Sequence, residues 1–107
     1  MGILEKRGER LVVHLPRELD HHYTEEVRRR VDAALRTEAI SELEFDFSAT
    51  VFMDSAGIGL LLGRFQMMRA LGGRMLVGHM NEQIERILAL SGIERHIRLE
   101  KEEQDEK

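Results

Sequence analysis

Ser55 is the side chain best placed for covalent chemistry, because it stands where a loop enters an apolar helical segment. The free N–H groups and the positive dipole end of a helix N-terminus favour a phosphate at such a position. A phosphate would add about −1.5 to −2 charge at pH 7, which the adjacent Asp54 would repel. The residues alone leave two interpretations open. Asp54 and Ser55 act only as helix N-caps, or Ser55 is a phosphoacceptor whose charge changes what docks on the surface.

Motifs of common enzymes and nucleotide-binding proteins are missing around Ser55. Gly57, Gly59 and Gly63 follow a G-x-G-x-x-x-G spacing, which differs from the G-x-G-x-x-G dinucleotide fingerprint. The chain has neither a Walker loop nor a G-x-S-x-G elbow. A small enzyme with Ser55 as its nucleophile is therefore a remote alternative, since no motif supplies a base. We predict a protein that is not an enzyme and needs no cofactor.

Metal binding is also disfavoured by the residue types. The chain has no cysteine, which excludes disulfides, thiolate chemistry and cysteine-ligated zinc. His21 and His22 are adjacent, so on a helix they diverge by about 100° and do not share a metal as i, i+4 ligands do. His14 and His79 lie in or beside predicted strands, and we expect both to be structural residues with polar partners.

Hydrophobic periods of two and of 3.6 residues predict the elements that hold these side chains. A hairpin is expected first, with an edge arm at 3–7 and a buried arm at 10–15 that Pro16 ends. The other predicted elements are helices at 21–36, 55–71 and 82–90 and strands at 43–47, 74–77 and 96–99. A turn of helix is the alternative for the strand at 96–99. The predicted N-caps are Asp20 and Asn81, and the predicted helix ends are Gly72 and Gly92.

The resulting order, β-β-α-β-α-β-α-β, predicts an α/β fold. Strands that alternate with helices pair in parallel through right-handed crossovers, and the hairpin is the antiparallel exception. We therefore expect a small mixed, mostly parallel β-sheet flanked by α-helices. At 107 residues the chain has room for one such domain, which we place at 1–99.

A stripe of small residues follows Ser55 along the predicted second helix. Ala56, Gly59 and Gly63 recur at i, i+3 and i+7, although a glycine in a helix costs about 0.8–1.0 kcal/mol relative to alanine. Close packing against the sheet is the favoured explanation. Docking of a partner on the stripe is the alternative.

Charge and hydropathy exclude several classes of protein. The net charge is −4, and the segment 100–107 contributes five acids and two lysines to it. We predict that this acidic segment is a flexible tail. The body lacks the basic excess of a nucleic-acid or membrane-surface protein. No apolar run approaches the roughly 18 residues of a membrane span, and no signal peptide is visible, so we expect a cytoplasmic protein.

Several segments together resemble the STAS family, and more closely the anti-sigma F factor antagonists of sporulating Gram-positive bacteria. The resemblance covers nearly all of residues 3–99. The segments that carry it are Leu19-Asp20-His21-His22, Phe52-Met53-Asp54-Ser55-x-Gly57-x-Gly59, Leu62-Gly63-Arg64, Gly72-Gly73-x-Met75 and Leu90-Ser91-Gly92-Ile93.

The resemblance implies a partner-switching regulator of a sigma factor. In that family the unphosphorylated protein binds an anti-sigma factor that is a serine kinase and frees the sigma factor. The kinase then phosphorylates the serine that corresponds to Ser55, and a PP2C-type phosphatase resets it. The implied partner-binding residues are Asp20, His21, Asp54, Ala56, Gly57 and Gly59.

Two departures from the family pattern concern docking more than fold. Close members often carry a second serine where Ala56 stands, so Ser55 is left as the acceptor there. Arg17 occupies a position that is often glycine in the family, which alters the charge of the first loop. A general stress-response antagonist, another STAS signalling module or a small ligand-binding domain are the alternatives.

Overall fold

The computed structural model describes residues 3–96 and 98–101, which form a five-stranded sheet, a two-stranded parallel pair and three α-helices. In chain order the strands are β1 (Leu4–Arg7), β2 (Arg10–His14), β3 (Glu18–Leu19), β4 (Glu42–Asp46), β5 (Phe52–Met53), β6 (Arg74–Gly78) and β7 (Glu100–Lys101). The helices are α1 (His21–Thr37), α2 (Ser55–Leu71) and α3 (Glu82–Ser91).

The five-stranded sheet has the spatial order β1-β2-β4-β6-β7. β1 and β2 are antiparallel, because only two residues, Gly8 and Glu9, connect them. The neighbours from β2 to β7 all pair in parallel, as the intervening helices require. The predicted α/β fold with a mixed, mostly parallel sheet is confirmed, as is the edge position of the first strand.

The three helices lie where their periodicity predicts them. Asn81 caps α3 by accepting a hydrogen bond from the Ile84 N–H at 2.8 Å. Gly72 and Gly92 follow α2 and α3 with φ of 80° and 76°, a left-handed conformation that glycine adopts without strain. Local capping signals therefore fix both ends of α3 and the C-terminal end of α2, the helix that carries Ser55.

One face of the sheet and all three helices enclose the hydrophobic core. Side chains alternate along a strand, so the residues of the covered face are spaced two apart. Val13, Phe45 and Val77 on that face are completely buried, as are Val31 of α1 and Leu61 of α2. Burial of each such side chain stabilises the fold by about 1.5–3 kcal/mol. The core holds α1 and α2 against the sheet and thereby sets where each helix begins.

The opposite face of the sheet carries charged side chains that bond from strand to strand. Arg10 on β2 donates to Glu42 on β4 at 2.9 Å. Arg74 on β6 donates to the same Glu42 at 2.7 Å and to Glu100 on β7 at 2.6 Å. These bonds connect four neighbouring strands across the sheet.

The end of the chain differs from the prediction. Ile93–Arg95 form a 3₁₀ turn, and the last strand is Glu100–Lys101 instead of 96–99, within which Ile97 lies outside the described residues. Glu100 was expected to begin the flexible tail. It belongs to the sheet because its backbone pairs with β6 and its carboxylate pairs with Arg74. Residues 102–107 of the predicted tail lie outside the described residues.

Candidate functional site

Two short strands that the sequence patterns did not predict bring distant parts of the chain together. β3 and β5 pair in parallel, with Leu19 opposite Met53. The contact continues past β5, because the Asp54 N–H donates to the Leu19 carbonyl oxygen at 3.3 Å. Each strand leads into a helix after one residue, so α1 and α2 begin side by side.

Asp20 and Asp54 occupy equivalent positions at the start of α1 and α2. Their backbones have the same extended conformation, with φ −100° and ψ −177° for Asp20 and φ −99° and ψ −172° for Asp54. The Asp20 carboxylate accepts a hydrogen bond from the Tyr23 N–H at 3.1 Å, and that of Asp54 accepts one from the Ala56 N–H at 2.9 Å. The bond from Tyr23 lowers the pKa of Asp20. The predicted N-cap at Asp20 is confirmed, and a negative charge lies at the start of each helix.

Ser55 is the first residue of α2 and is exposed. The side-chain cap of α2 is Asp54, so the interpretation that Asp54 and Ser55 both act as N-caps holds for Asp54 alone. Within the part of the chain that the structure describes, the Ser55 hydroxyl has no hydrogen-bond partner. An exposed, unbonded hydroxyl at a helix N-terminus is a position that accommodates a phosphate without disturbing the core.

Gly57 lies beneath the surface, although the family resemblance implied that it contacts a partner. It is buried against the residues of the two short strands. A Cβ atom at this position would lie 2.6 Å from Met53 Sδ and 3.3 Å from a Leu19 methyl group. The assignment of Gly57 to a docking surface is therefore corrected. Its lack of a side chain lets α2 approach β3 and β5.

Gly59 and Gly63 do not pack against the sheet, so the favoured explanation for the small-residue stripe is wrong. A Cβ atom at either position would meet no atom within 4 Å. Gly59 is exposed and lines a cleft of about 190 Å³ between α1 and α2. The lining of this cleft also includes Thr24, Glu25, Arg28, Ala56 and Arg64.

A charged pair connects α1 and α2 beneath this cleft. Arg64 Nε lies 3.1 Å from Asp32 Oδ1, and Arg64 is only 8% exposed. Burial lowers the pKa of Arg64, while the charge of Asp32 acts in the opposite direction. Removing one partner of such a pair leaves a charge uncompensated in a site of low polarity. The pair therefore favours one register between the two helices.

Exposed aromatic side chains lie at the starts of α1 and α2. Phe52 and Tyr23 are each 46% exposed, and the rings of His21 and His22 are tilted against each other with centroids 4.2 Å apart. Phe52 lies three residues before Ser55. Phe52 belongs to one of the segments that carry the family resemblance, but its place on the surface was not predicted. A strand of two residues is too short for the alternation of Phe52 with the buried Met53 to show in the sequence.

The remaining candidates from the sequence are a structural role for His79 and a metal site. His79 is exposed with φ of 60°, and no hydrogen bond engages it among the described residues, although it lies near enough to Asp46 to help lower the pKa of that carboxylate. Residues 3–96 and 98–101 contain no group of three or more His, Cys, Asp or Glu side chains that could hold a metal ion. The same residues include no helix that is both long and apolar enough to cross a membrane.

Known proteins share both the sequence pattern and the fold of this chain. A profile of the STAS domain matches residues 3–106. The anti-sigma F factor antagonist of Paenibacillus polymyxa is 36% identical over 83 residues, which cover 78% of this chain and 71% of that protein.

Two solved structures of the anti-sigma factor antagonist SpoIIAA superpose on nearly the whole chain. The unphosphorylated form has a TM-score of 0.77 at 27% identity and covers 95% of this chain and 87% of its own. The phosphorylated form, from Bacillus, has a TM-score of 0.74 at 29% identity and covers 94% and 90%. Since the family profile spans almost every residue and these structures share the arrangement of strands and helices, the chain belongs to the STAS domain family.

Proposed function

We propose that this chain is an anti-sigma factor antagonist that phosphorylation of Ser55 switches off. The unphosphorylated form binds an anti-sigma serine kinase, which then releases its sigma factor, and the phosphorylated form dissociates. The observation that carries the proposal is the position of Ser55, an exposed first residue of α2 whose hydroxyl has no partner among the described residues. The relative named as an anti-sigma F factor antagonist and the two forms of SpoIIAA support it.

The surroundings of Ser55 give the proposed switch a physical basis. A phosphate adds about −1.5 to −2 charge next to two carboxylates, those of Asp20 and Asp54. The N-terminus of α2 stabilises that charge locally, so the fold remains intact. A partner surface that matches the unmodified site would then face a strongly negative patch, and like charges brought together in an interface cost several kcal/mol.

The proposed docking surface surrounds Ser55. Asp20, His21, Asp54, Ala56 and Gly59 are exposed or half-buried around the starts of α1 and α2. The exposed ring of Phe52 extends this surface, because aromatic side chains commonly act as anchors in protein interfaces.

The proposed partners are an anti-sigma factor serine kinase and a PP2C-type serine phosphatase. The kinase brings ATP and magnesium, so the chain itself needs no cofactor and performs no catalysis. We infer a cytoplasmic regulator in a sporulation circuit, since the matching relatives are named anti-sigma F factor antagonist and SpoIIAA.

Mass spectrometry tests the phosphorylation directly. The protein is incubated with the anti-sigma kinase of its own genome, ATP and magnesium, and intact and peptide masses are measured. We expect one phosphate on Ser55, and none in Ser55→Ala. Ser41→Ala is the matched control, because Ser41 is also exposed. Its backbone carbonyl oxygen accepts a hydrogen bond from the Arg74 N–H, which places Ser41 near the far end of α2, about 25 Å away.

Binding of the same kinase supplies the second readout. Ser55→Ala should bind the kinase and stay bound when ATP is added, whereas the wild-type protein should be released. A phosphate on another residue, no phosphate from a kinase that is active on a second substrate, or normal release of Ser55→Ala would contradict the proposal.

A stress-response antagonist or another STAS signalling module would use the same geometry with a different kinase. A neighbouring sporulation or stress-response sigma operon separates these circuits. A small ligand-binding domain is the remote alternative, and thermal-shift assays against nucleotides test it.

A further inference from the structure

The ring of His14 lies between two carboxylates on the sheet face opposite the helices. Its Nδ1 is 2.9 Å from Asp46 Oδ2 on β4, and its Nε2 is 2.7 Å from Glu5 Oε1 on β1. Asp46 is also the register partner of His14 in the parallel pairing. One imidazole ring therefore connects three strands, and the prediction that His14 is a partnered structural residue is confirmed.

Both hydrogen bonds exist together only when the ring carries two protons. An ionised carboxylate only accepts hydrogen bonds, and a neutral imidazole has a single N–H donor. The pKa of Glu5 is lowered to about 2, first by its hydrogen bond from Arg7 and then by that from His14. Burial acts to raise the pKa of Asp46, but hydrogen bonds from Ser48 and His14 outweigh it and lower that pKa. Both acceptors are thus ionised near neutral pH.

The balance of neighbours favours the charged ring. The hydrogen bond to Glu5 contributes most to raising the pKa of His14 above 6.5, and Asp46 adds to it, while partial burial opposes them. Glu5 is held independently by Arg7, whose Nε donates to it at 2.8 Å. The charged and titratable groups around the ring, on β1, β2, β4 and the turn after β6, are Glu5, Arg7, Arg10, Glu44, Asp46 and His79.

The strand on the outer side of this ring has few other anchors. β1 is an edge strand of four residues, three of which are exposed. Among the described residues β1 pairs only with β2, and the His14 N–H extends that pairing by donating to the Ile3 carbonyl oxygen at 2.7 Å. The contact between Glu5 and His14 links β1 to a buried part of the sheet through Asp46.

We propose that the doubly protonated His14 is a pH-sensitive bridge between β1 and β4, and that β1 loosens from the sheet when the ring loses one proton. The sign of the effect follows from the raised pKa of the ring in the folded protein. The bridge is complete at pH values below about 6.5, as long as both carboxylates remain ionised. Its contribution is lost as the pH rises from there through the raised pKa of the folded protein.

A histidine titration by NMR tests the protonation state. The His14 ring signals are assigned as those that disappear in His14→Gln, and their shifts are followed with pH. We expect an apparent pKa above 6.5 in the wild-type protein and a lower one in Glu5→Gln. Glu9→Gln is the matched control, because it removes the same charge from the adjacent turn, where the side chain is exposed.

Hydrogen exchange tests the consequence for the strand. Protection of the β1 amides, corrected for the intrinsic pH dependence of exchange, should fall several-fold between pH 6 and pH 8.5 in the wild type and remain flat in His14→Gln. An apparent pKa at or below 6.5, equal effects of Glu5→Gln and Glu9→Gln, or the same loss of protection in His14→Gln would overturn the proposal. If His14→Gln fails to fold, through-bond NMR assignment from the His14 backbone identifies the ring signals in the wild-type protein, so its titration still decides the first point.

Discussion

A phosphate would change the local charge of a cluster of three residues, Asp20, Asp54 and Ser55. Two carboxylates at equivalent positions already place about −2 charge at the adjoining starts of α1 and α2. Phosphorylation would bring the local charge to about −3.5 to −4 at pH 7. A change of this size at one point acts on a partner's surface without any need for a conformational change in the chain.

Ser55→Asp should imitate part of this change. It adds one negative charge next to Asp20 and Asp54, so we expect affinity for the anti-sigma kinase to fall at least about tenfold, or about 1.4 kcal/mol. Calorimetry measures the affinity. Ser55→Asn is the matched control, since it has nearly the same shape without the charge. Equal affinities of the two variants would show that charge does not drive dissociation.

At this scale the sequence identifies side chains but not their neighbours. Ser55 is recognisable because the residues that define its chemistry adjoin it in the chain. Asp20 reaches it only through the pairing of β3 with β5, which joins segments more than thirty residues apart. The family resemblance implied that Asp20 and Asp54 bind the same partner, whereas local patterns carry no information about their proximity. The burial of Gly57 likewise depends on Met53 and Leu19, which periodicity does not place.

Among the elements, α2 shows how two glycines in one helix serve different purposes. Gly57→Ala would press a methyl group against Met53 and Leu19, and overpacking of this kind typically costs about 1–3 kcal/mol. Gly59→Ala would enter open space and should stabilise the helix by up to about 0.8–1.0 kcal/mol. The Tm values of the two variants should thus shift in opposite directions from the wild type, by about 4–8 °C per kcal/mol. Shifts of the same sign would show that the two glycines do not differ in packing as described.

Element length explains which parts of the fold were predictable. The helices α1 and α2 each have 17 residues, enough for several repeats of the 3.6-residue period and for a capping residue at the start. β3 and β5 have two residues each, too few for any alternation to show. β7 consists of Glu100 and Lys101, whose side chains resemble those of a solvated tail. It becomes a strand because β6 offers it a free edge and Arg74 binds its glutamate.

For the molecule as a whole, β7 extends the folded part of the chain from the predicted boundary at residue 99 to Lys101. A chain that stops at Leu99 lacks the pairing of Glu100 with Leu76 and of Lys101 with Val77, while a chain that stops at Lys101 keeps it. Each ladder hydrogen bond contributes about 0.5–1.5 kcal/mol net. We therefore expect the shorter chain to unfold at a lower denaturant concentration. Coincident unfolding curves for the two chains would place the boundary back at residue 99.

The three helices begin at the same side of the molecule, and this arrangement affects the rate at which a partner associates. α1 and α2 begin side by side, and α3 begins near them, since the amide of its cap Asn81 donates to the Thr50 carbonyl oxygen at 3.1 Å, just before β5. Three peptide dipoles therefore point their positive ends toward one pole of the molecule. An approaching partner meets an oriented field there before any contact forms. Asp20 and Asp54 already offset these dipoles, and a phosphate on Ser55 would make the pole strongly negative. The modification would therefore slow productive encounters as well as shorten the lifetime of the complex.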